Sequence, residues 1–207
     1  SNVDDCAKAV GMDPLAFRMQ NIMPQGYEDG FSHNVNYDDS FRQCLEAGKK
    51  YIDYDRKLAE FAKDTGPVRR GVGMAVFWYN TAVWPISLES SSCRMVLNQD
   101  GSIQVQTGET EIGQGCDTVY AQMAADAVGV PFGSVHVVSS QDTDVTPYGS
   151  GAYASRQTYV GGFAIAKTGA LLRERILDYA HKLTRMPVSN LDLVEGRIVR
   201  KPDGEVL

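Results

Sequence analysis

Two short stretches carry the residue types that hold anions. The first, Glu109-Thr110-Glu111-Ile112-Gly113-Gln114-Gly115-Cys116-Asp117-Thr118, crowds acids, an amide and two glycines where an alternating pattern gives way to a helical one. The second, residues 146–158, sets Gly149, Ser150 and Gly151 beside Ala152, Ala154, Ser155, Arg156, Gln157 and Thr158, again just ahead of a helical pattern. Glycine lets a backbone approach a ligand closely. A loop that opens a helix presents N–H groups and the positive end of the helix dipole. The amide of Gln114 offers a donor and an acceptor together, and the fork of Arg156 matches a pyrophosphate. The chemistry indicated is a site for a phosphate-bearing cofactor.

Each loop also has a plainer reading. Gly-X-Gly before a helix is a common tight turn, and the second loop could be a capped helix start with Ser155 as N-cap and Arg156 in solvent. Binding is favoured because the two loops occur together, and because a purely structural turn has no need of Glu109, Glu111 and Gln114. Other candidates reduce to structure. Asp142 and Asp144, with Glu109 and Glu111, could form carboxylate pairs for acid–base work, but acids at loop edges are usually solvated. His136 alternates within a strand, and spacing suggests no carboxylate or serine partner for His33 or His181, so no triad is read. Trp78, Tyr79 and Trp84 could wall a substrate funnel, with core or interface packing as the alternative.

The elements that position the loops follow from periodicity. Asp13-Pro14 starts a helix. Phe41, Cys44, Leu45, Gly48 and Ile52 recur at helical spacing, with Leu58, Phe61 and Ala62 extending the pattern. Residues 68–79 read as a strand. Residues 86–97 and 102–107 form a hairpin through Asn98-Gln99-Asp100-Gly101. Cys116, Val119, Tyr120, Met123 and Ala127 describe a helix that Gly129 and Pro131 end. A short strand follows at 134–139, a long helix at about 156–184, and a last strand at 195–200. The expected fold is α+β, a small mixed or antiparallel sheet with helices packed on one face. Residues 1–66 are expected to be an N-terminal helical segment and loop continuing from an upstream region, and residues 67–207 the α+β part that carries both loops.

Composition sets limits. At 207 residues and 43% apolar, the chain can bury a core. A net charge of −6 argues against a nucleic-acid surface. No apolar run approaches the roughly 18 residues of a membrane span. Cys6, Cys44, Cys93 and Cys116 lie far apart with no zinc spacing, which suggests reduced thiols and a cytoplasmic protein. No P-loop lysine or Rossmann fingerprint points to a self-sufficient nucleotide enzyme.

At the two loops the chain resembles the molybdenum-binding subunit of the xanthine dehydrogenase and aldehyde oxidase family, the molybdenum hydroxylases. The resemblance covers nearly the whole chain. It rests on residues 11–21 (GMDPLAFRMQN), on the Gly-Gln-Gly loop at 109–115 and on the Ala-Ser-Arg-Gln loop at 151–162. It implies a molybdenum cofactor-binding domain fold and a molybdopterin cofactor, in the cytosine dinucleotide form usual in bacteria. It also implies oxidative hydroxylation of an N-heterocycle or aldehyde with oxygen from water. Ile112, Gly113, Gln114 and Gly115 would lie beside the pterin and the metal's oxygen ligands. Ala152, Ala154, Ser155, Arg156 and Gln157 would surround the pterin and its phosphates. No protein side chain ligates the metal in this family. The 2Fe–2S clusters and FAD would sit on partner domains or subunits, beside the remaining domains of the molybdenum subunit. The family's other glycine-rich segments and the segment with its catalytic glutamate do not occur here, so no catalytic residue is assigned within 1–207, and the piece alone is expected to be inactive. The competing reading is a non-catalytic binding or scaffold module that uses the loops for another anionic ligand or a partner chain.

Overall fold

The computed structural model describes residues 1–207 apart from Ser32, residues 84–87, Ser139 and Gln141. The chain divides into two compact units, Ser1–Trp78 and Tyr79–Leu207, so residues 67–78 fall within the first.

The first unit is helical. Helix α1 (Asn2–Ala9) begins under a capping box between Ser1 and Asp4. Helix α2 (Pro14–Asn21) begins as Asp13-Pro14 predicts, with the Asp13 carboxylate accepting the N–H groups of Leu15 and Ala16 at 3.0 and 2.9 Å. The apolar run from Phe41 becomes two helices, α3 (Ser40–Tyr51) and α4 (Tyr54–Phe61). Asp53, at φ 54°, breaks the run between them with a left-handed turn. Leu15, Leu45 and Tyr54 make a small core, and Met19, Ile52, Val72, Met74 and Val76 pack on it. The strand expected at 68–79 does not form. Val72, Met74 and Val76 keep the alternation of a strand and pack on the core, but among the described residues no neighbouring strand supplies a hydrogen-bond ladder.

The second unit is a mixed sheet under two helices. Strands β1 (Cys93–Leu97) and β2 (Ile103–Thr107) form the expected hairpin, in register from Cys93↔Thr107 to Leu97↔Ile103. Its first strand starts later than the sequence suggests, and Ile86 lies outside the described residues. Helix α5 (Cys116–Val128) crosses to β3 (Val135–Val138), which pairs parallel to β2, giving the order β1-β2-β3. Ser139, the expected end of that strand, also lies outside the described residues. Helix α6 (Gly162–Thr184) follows, then a separate antiparallel ribbon of β4 (Leu191–Val194) and β5 (Arg197–Arg200).

Alternation puts Ile103, Val105 and Val135 on one sheet face, where they are buried with Tyr120, Ala124 and Val128 of α5 and Ile165 of α6. The helices can touch closely because Gly169 has no side chain. A Cβ there would sit 2.6 Å from that of Ala127. Among the described residues, no helix is long and apolar enough to cross a membrane.

Candidate functional site

The first loop leaves β2 at Gly108 and enters α5 at Cys116. Gly113 and Gly115 take φ values of 97° and 85°, which L side chains rarely adopt, so this turn needs its glycines. Glu111 turns back to cap α5, its carboxylate accepting the N–H groups of Gly113 at 2.7 Å, Gly115 at 3.0 Å and Asp117 at 3.2 Å. Those bonds, that of Gly115 first, hold its pKa down to about 2. Cys116, at the helix start, behaves oppositely. Burial, and then the charges of Glu111 and Asp117, push its thiol up to about 12. Glu111, Cys116 and Asp117 lie close enough together to share an ion. The carboxylate of Glu111 is occupied by three backbone N–H groups at the start of α5, so a capped helix start accounts for the trio.

The second loop is strained. Ala154 and Ser155 hold φ values of 45° and 51°, successive left-handed residues without glycine's freedom. A π-helical turn over Gln157–Gly161 then opens α6. The first N–H groups of such a turn have no acceptor within it.

The two loops are bound to each other. Gly108 and Gly149 pass back to back, where a Cβ on Gly149 would meet the Gly108 carbonyl carbon at 2.5 Å. The Gln157 amide donates to the Thr110 carbonyl at 2.8 Å, and the Gln114 amide donates to the Gln157 side-chain oxygen. Gln114 also donates to the Thr110 carbonyl at 3.0 Å and accepts the Ile112 N–H at 2.7 Å. Its side chain, expected beside the pterin and the metal's oxygen ligands, borders the hollow and also ties the loops.

Arg156 serves the same end. It is fully buried. Nε donates to Glu89 at 2.6 Å, Nη1 to both oxygens of Glu109 at 2.9 Å and to the Gly151 carbonyl at 3.0 Å, and Nη2 to the Ser90 carbonyl at 2.6 Å. Burial works against its charge, but the bonds to Glu89 and then Glu109 outweigh that cost and keep the guanidinium protonated. The fork expected to grip a pyrophosphate is turned inward, and it is not in solvent either. Sequence reasoning missed Glu89 altogether. It lies 67 residues from Arg156, beyond any local pattern.

Between the loops lies a hollow of about 480 Å³, bordered by Tyr79, Ile112, Gln114, residues 152–155, Arg156, Gln157 and Thr158. It falls in the size range of small-molecule sites. Its border holds no histidine, cysteine or carboxylate, so it can seat an anionic group on backbone N–H groups, hydroxyls and amides but has no side chain suited to ligate a metal. Gly113 and Gly115 are not among its bordering residues and act on it through the turn. The suggested carboxylate pairs do not materialise. Glu109 is buried against Arg156, Glu111 caps α5, and Asp142 closes its own turn by accepting the Asp144 N–H at 2.9 Å. His33 has a carboxylate neighbour that spacing did not suggest, exposed Glu28 at 2.9 Å. His181 faces the Met186 carbonyl at 2.5 Å. Trp84 lies outside the described residues.

Comparison with known proteins fits this geometry. Residues 47–206 match the family model for the molybdopterin cofactor-binding domain. The chain is 43% identical over 199 residues to the putative xanthine dehydrogenase molybdenum-binding subunit of Escherichia coli (strain K12), covering 96% of this chain and 26% of that protein. It is 28% identical to the carbon monoxide dehydrogenase large chain of Hydrogenophaga pseudoflava, over 97% of this chain and 26% of the relative. Among solved structures, the aldehyde oxidoreductase of Desulfovibrio desulfuricans superposes with a TM-score of 0.58 at 26% identity, over 85% of this chain and 19% of that one. Quinoline 2-oxidoreductase of Pseudomonas putida shares the fold with a TM-score of 0.58 at 20% identity, over 97% of this chain and 27% of that one. The chain thus spans about a quarter of the length of these curated relatives.

Proposed function

Because the chain belongs to the molybdopterin cofactor-binding domain family, within the molybdenum-binding subunits of xanthine dehydrogenase-like hydroxylases, we propose that the hollow between its two loops is one wall of the molybdopterin site. The observation that carries this reading is the convergence of Ile112 and Gln114 with residues 152–158 around a single cavity free of metal-ligating side chains.

On this reading Ile112, Gln114, Ala152, Ala154, Ser155 and Gln157 border the cofactor, while Gly113 and Gly115 shape the turn. N–H groups at the opening of the π-helical turn receive the phosphates, as helix starts commonly do. Arg156 acts from behind, fixing the loops that do the binding. When bound, the cofactor supplies redox and Lewis-acid chemistry at its metal. This chain's residues hold and orient it. The cofactor is proposed to be the cytosine dinucleotide form.

The complete subunit is proposed to be a cytoplasmic oxidoreductase that hydroxylates an N-heterocycle or an aldehyde using water. FAD and 2Fe–2S centres would lie on partner domains or subunits. The relatives named as a xanthine dehydrogenase subunit and an aldehyde oxidoreductase lend this substrate range its support. The catalytic base would come from outside residues 1–207, so the chain alone is expected to be folded, inactive and largely free of cofactor. Stoichiometric molybdenum or hydroxylase turnover in the 207-residue chain would refute that statement.

The deciding experiment uses the complete subunit. Gln114→Ala should lower bound molybdenum, measured by elemental analysis, and bound pterin, measured by fluorescence after oxidation, without unfolding the protein. Wild-type content would remove the site assignment. If the chain is instead a scaffold for another anion, titration with molybdopterin cytosine dinucleotide against simple nucleotides will show no preference for the pterin.

A further inference from the structure

We infer that Tyr79 is a further binding residue of the hollow, its phenol donating a hydrogen bond to an acceptor oxygen of the anionic group seated between the loops. The inference rests on the reading of the hollow as a cofactor wall and adds to it a residue from a third segment.

Tyr79 borders the cavity together with the strained second loop. Its oxygen accepts the Ala154 N–H at 2.8 Å. Three residues later, the Ala82 N–H donates to the Ala154 carbonyl at 2.6 Å. Both backbone polar groups of Ala154 are thus held by residues 79–82, a segment itself anchored where the Val83 N–H donates to Glu89 at 2.8 Å. The left-handed Ala154 sits where it does because this segment grips it from outside, and Ala82 is left-handed too, at φ 65°.

A phenol has one proton to give and can accept through its lone pairs at the same time. At Tyr79 the accepting role is filled, and among the described residues the hydroxyl donates to nothing. Its side chain stays exposed, at 60% for the residue. The other large polar groups at the border are committed. Gln114 and Gln157 are tied to each other and to Thr110, and Arg156 is turned inward. A neutral donor beside a hollow whose bordering cation, Arg156, is turned inward suits an anionic oxygen acceptor such as a phosphate better than an apolar ring.

The test is Tyr79→Phe in the complete molybdenum-binding subunit, which keeps the ring and removes only the hydroxyl. Two quantities are read, the rate of molybdenum loss on dialysis by elemental analysis and hydrogen exchange at the Ala154 amide. The expected result is loss about tenfold faster or more, as for a hydrogen bond to a charged acceptor, together with faster exchange at Ala154. Unchanged molybdenum loss overturns the inference, whether or not exchange rises. A rise in exchange alone would leave Tyr79 as a brace for Ala154. A wild-type subunit without molybdenum overturns the underlying reading and this inference together, and that outcome is visible before any variant is compared.

Discussion

Replacing Arg156 by methionine separates two roles that its sequence context leaves open. As a phosphate ligand facing a cavity, Arg156 would be lost with little effect on the empty protein. The structure places it fully buried between Glu109, also fully buried, and Glu89, which is nearly so. Methionine preserves much of the volume but leaves two carboxylates facing each other without a cation. Removing one partner of a buried ion pair costs about 3–5 kcal/mol, and the carbonyls of Gly151 and Ser90 lose their donor as well. At about 2–4 °C per kcal/mol for a chain of this size, the melting temperature should fall by about 6–20 °C, measured by circular dichroism on the cofactor-free chain. Adding Glu109→Gln to Arg156→Met should recover part of the loss, since it removes one uncompensated charge. A fall of less than about 1 kcal/mol in the single variant, or no recovery in the double, would refute the buried latch and return Arg156 to the list of direct ligands.

Three further outcomes are expected. Gly108→Ala drives a Cβ into the backbone at Pro147 and Gly149, so it should destabilise by about 1–3 kcal/mol and enlarge proteolytic cleavage in both loops; a neutral variant would deny their close approach. Glu111 has its pKa held down from 4.5 to about 2. Its contribution is therefore complete above about 4.5 and is lost as pH falls toward 2, and Glu111→Gln should flatten the stability curve in that window; parallel curves for variant and wild type would sink the assignment of Glu111 as the α5 cap. Cys6 and Cys44 are exposed, whereas burial pushes Cys93 up to about 11 and, with nearby acids, Cys116 to about 12. A maleimide at neutral pH should label the first pair well before the second, and early labelling of Cys116, found by peptide mapping, would contradict its buried place.

What could be read from the sequence was local. Asp13-Pro14 starts α2, Gly129 ends α5, and the hairpin turn at Asn98–Gly101 sets the β1–β2 register, because each is decided by residues a few positions apart. The two loops were legible for the same reason: glycines and hydroxyls before a helix announce themselves. The inward turn of Arg156 was not, since it depends on Glu89, Ser90 and Glu109, none of them within its own loop. Nor was the fate of residues 68–79, where the alternation of Val72, Met74 and Val76 is that of a strand but, among the described residues, the ladder that would make one has no partner.

The same distinction explains how so acidic a neighbourhood could serve the proposed anion. Glu109 and Glu111 lie at the mouth of the first loop, and two free carboxylates there would repel a phosphate. Neither is free. Glu111 is bound by three backbone N–H groups at the start of α5, and Glu109 by both contacts to the Arg156 guanidinium. Their charge is thus used to hold the backbone in place, which in turn leaves the left-handed Ala154 and Ser155 and the opening of α6 at the border of the hollow. If the hollow seats the proposed cofactor, affinity for it would come from dipoles fixed before it arrives, and such preorganised groups pay no reorganisation on binding. A Glu109→Ala variant tests this directly. If the carboxylate merely repelled the ligand, its removal would tighten retention of molybdenum in the complete subunit; since it anchors Arg156, retention should weaken, and stability should fall with it.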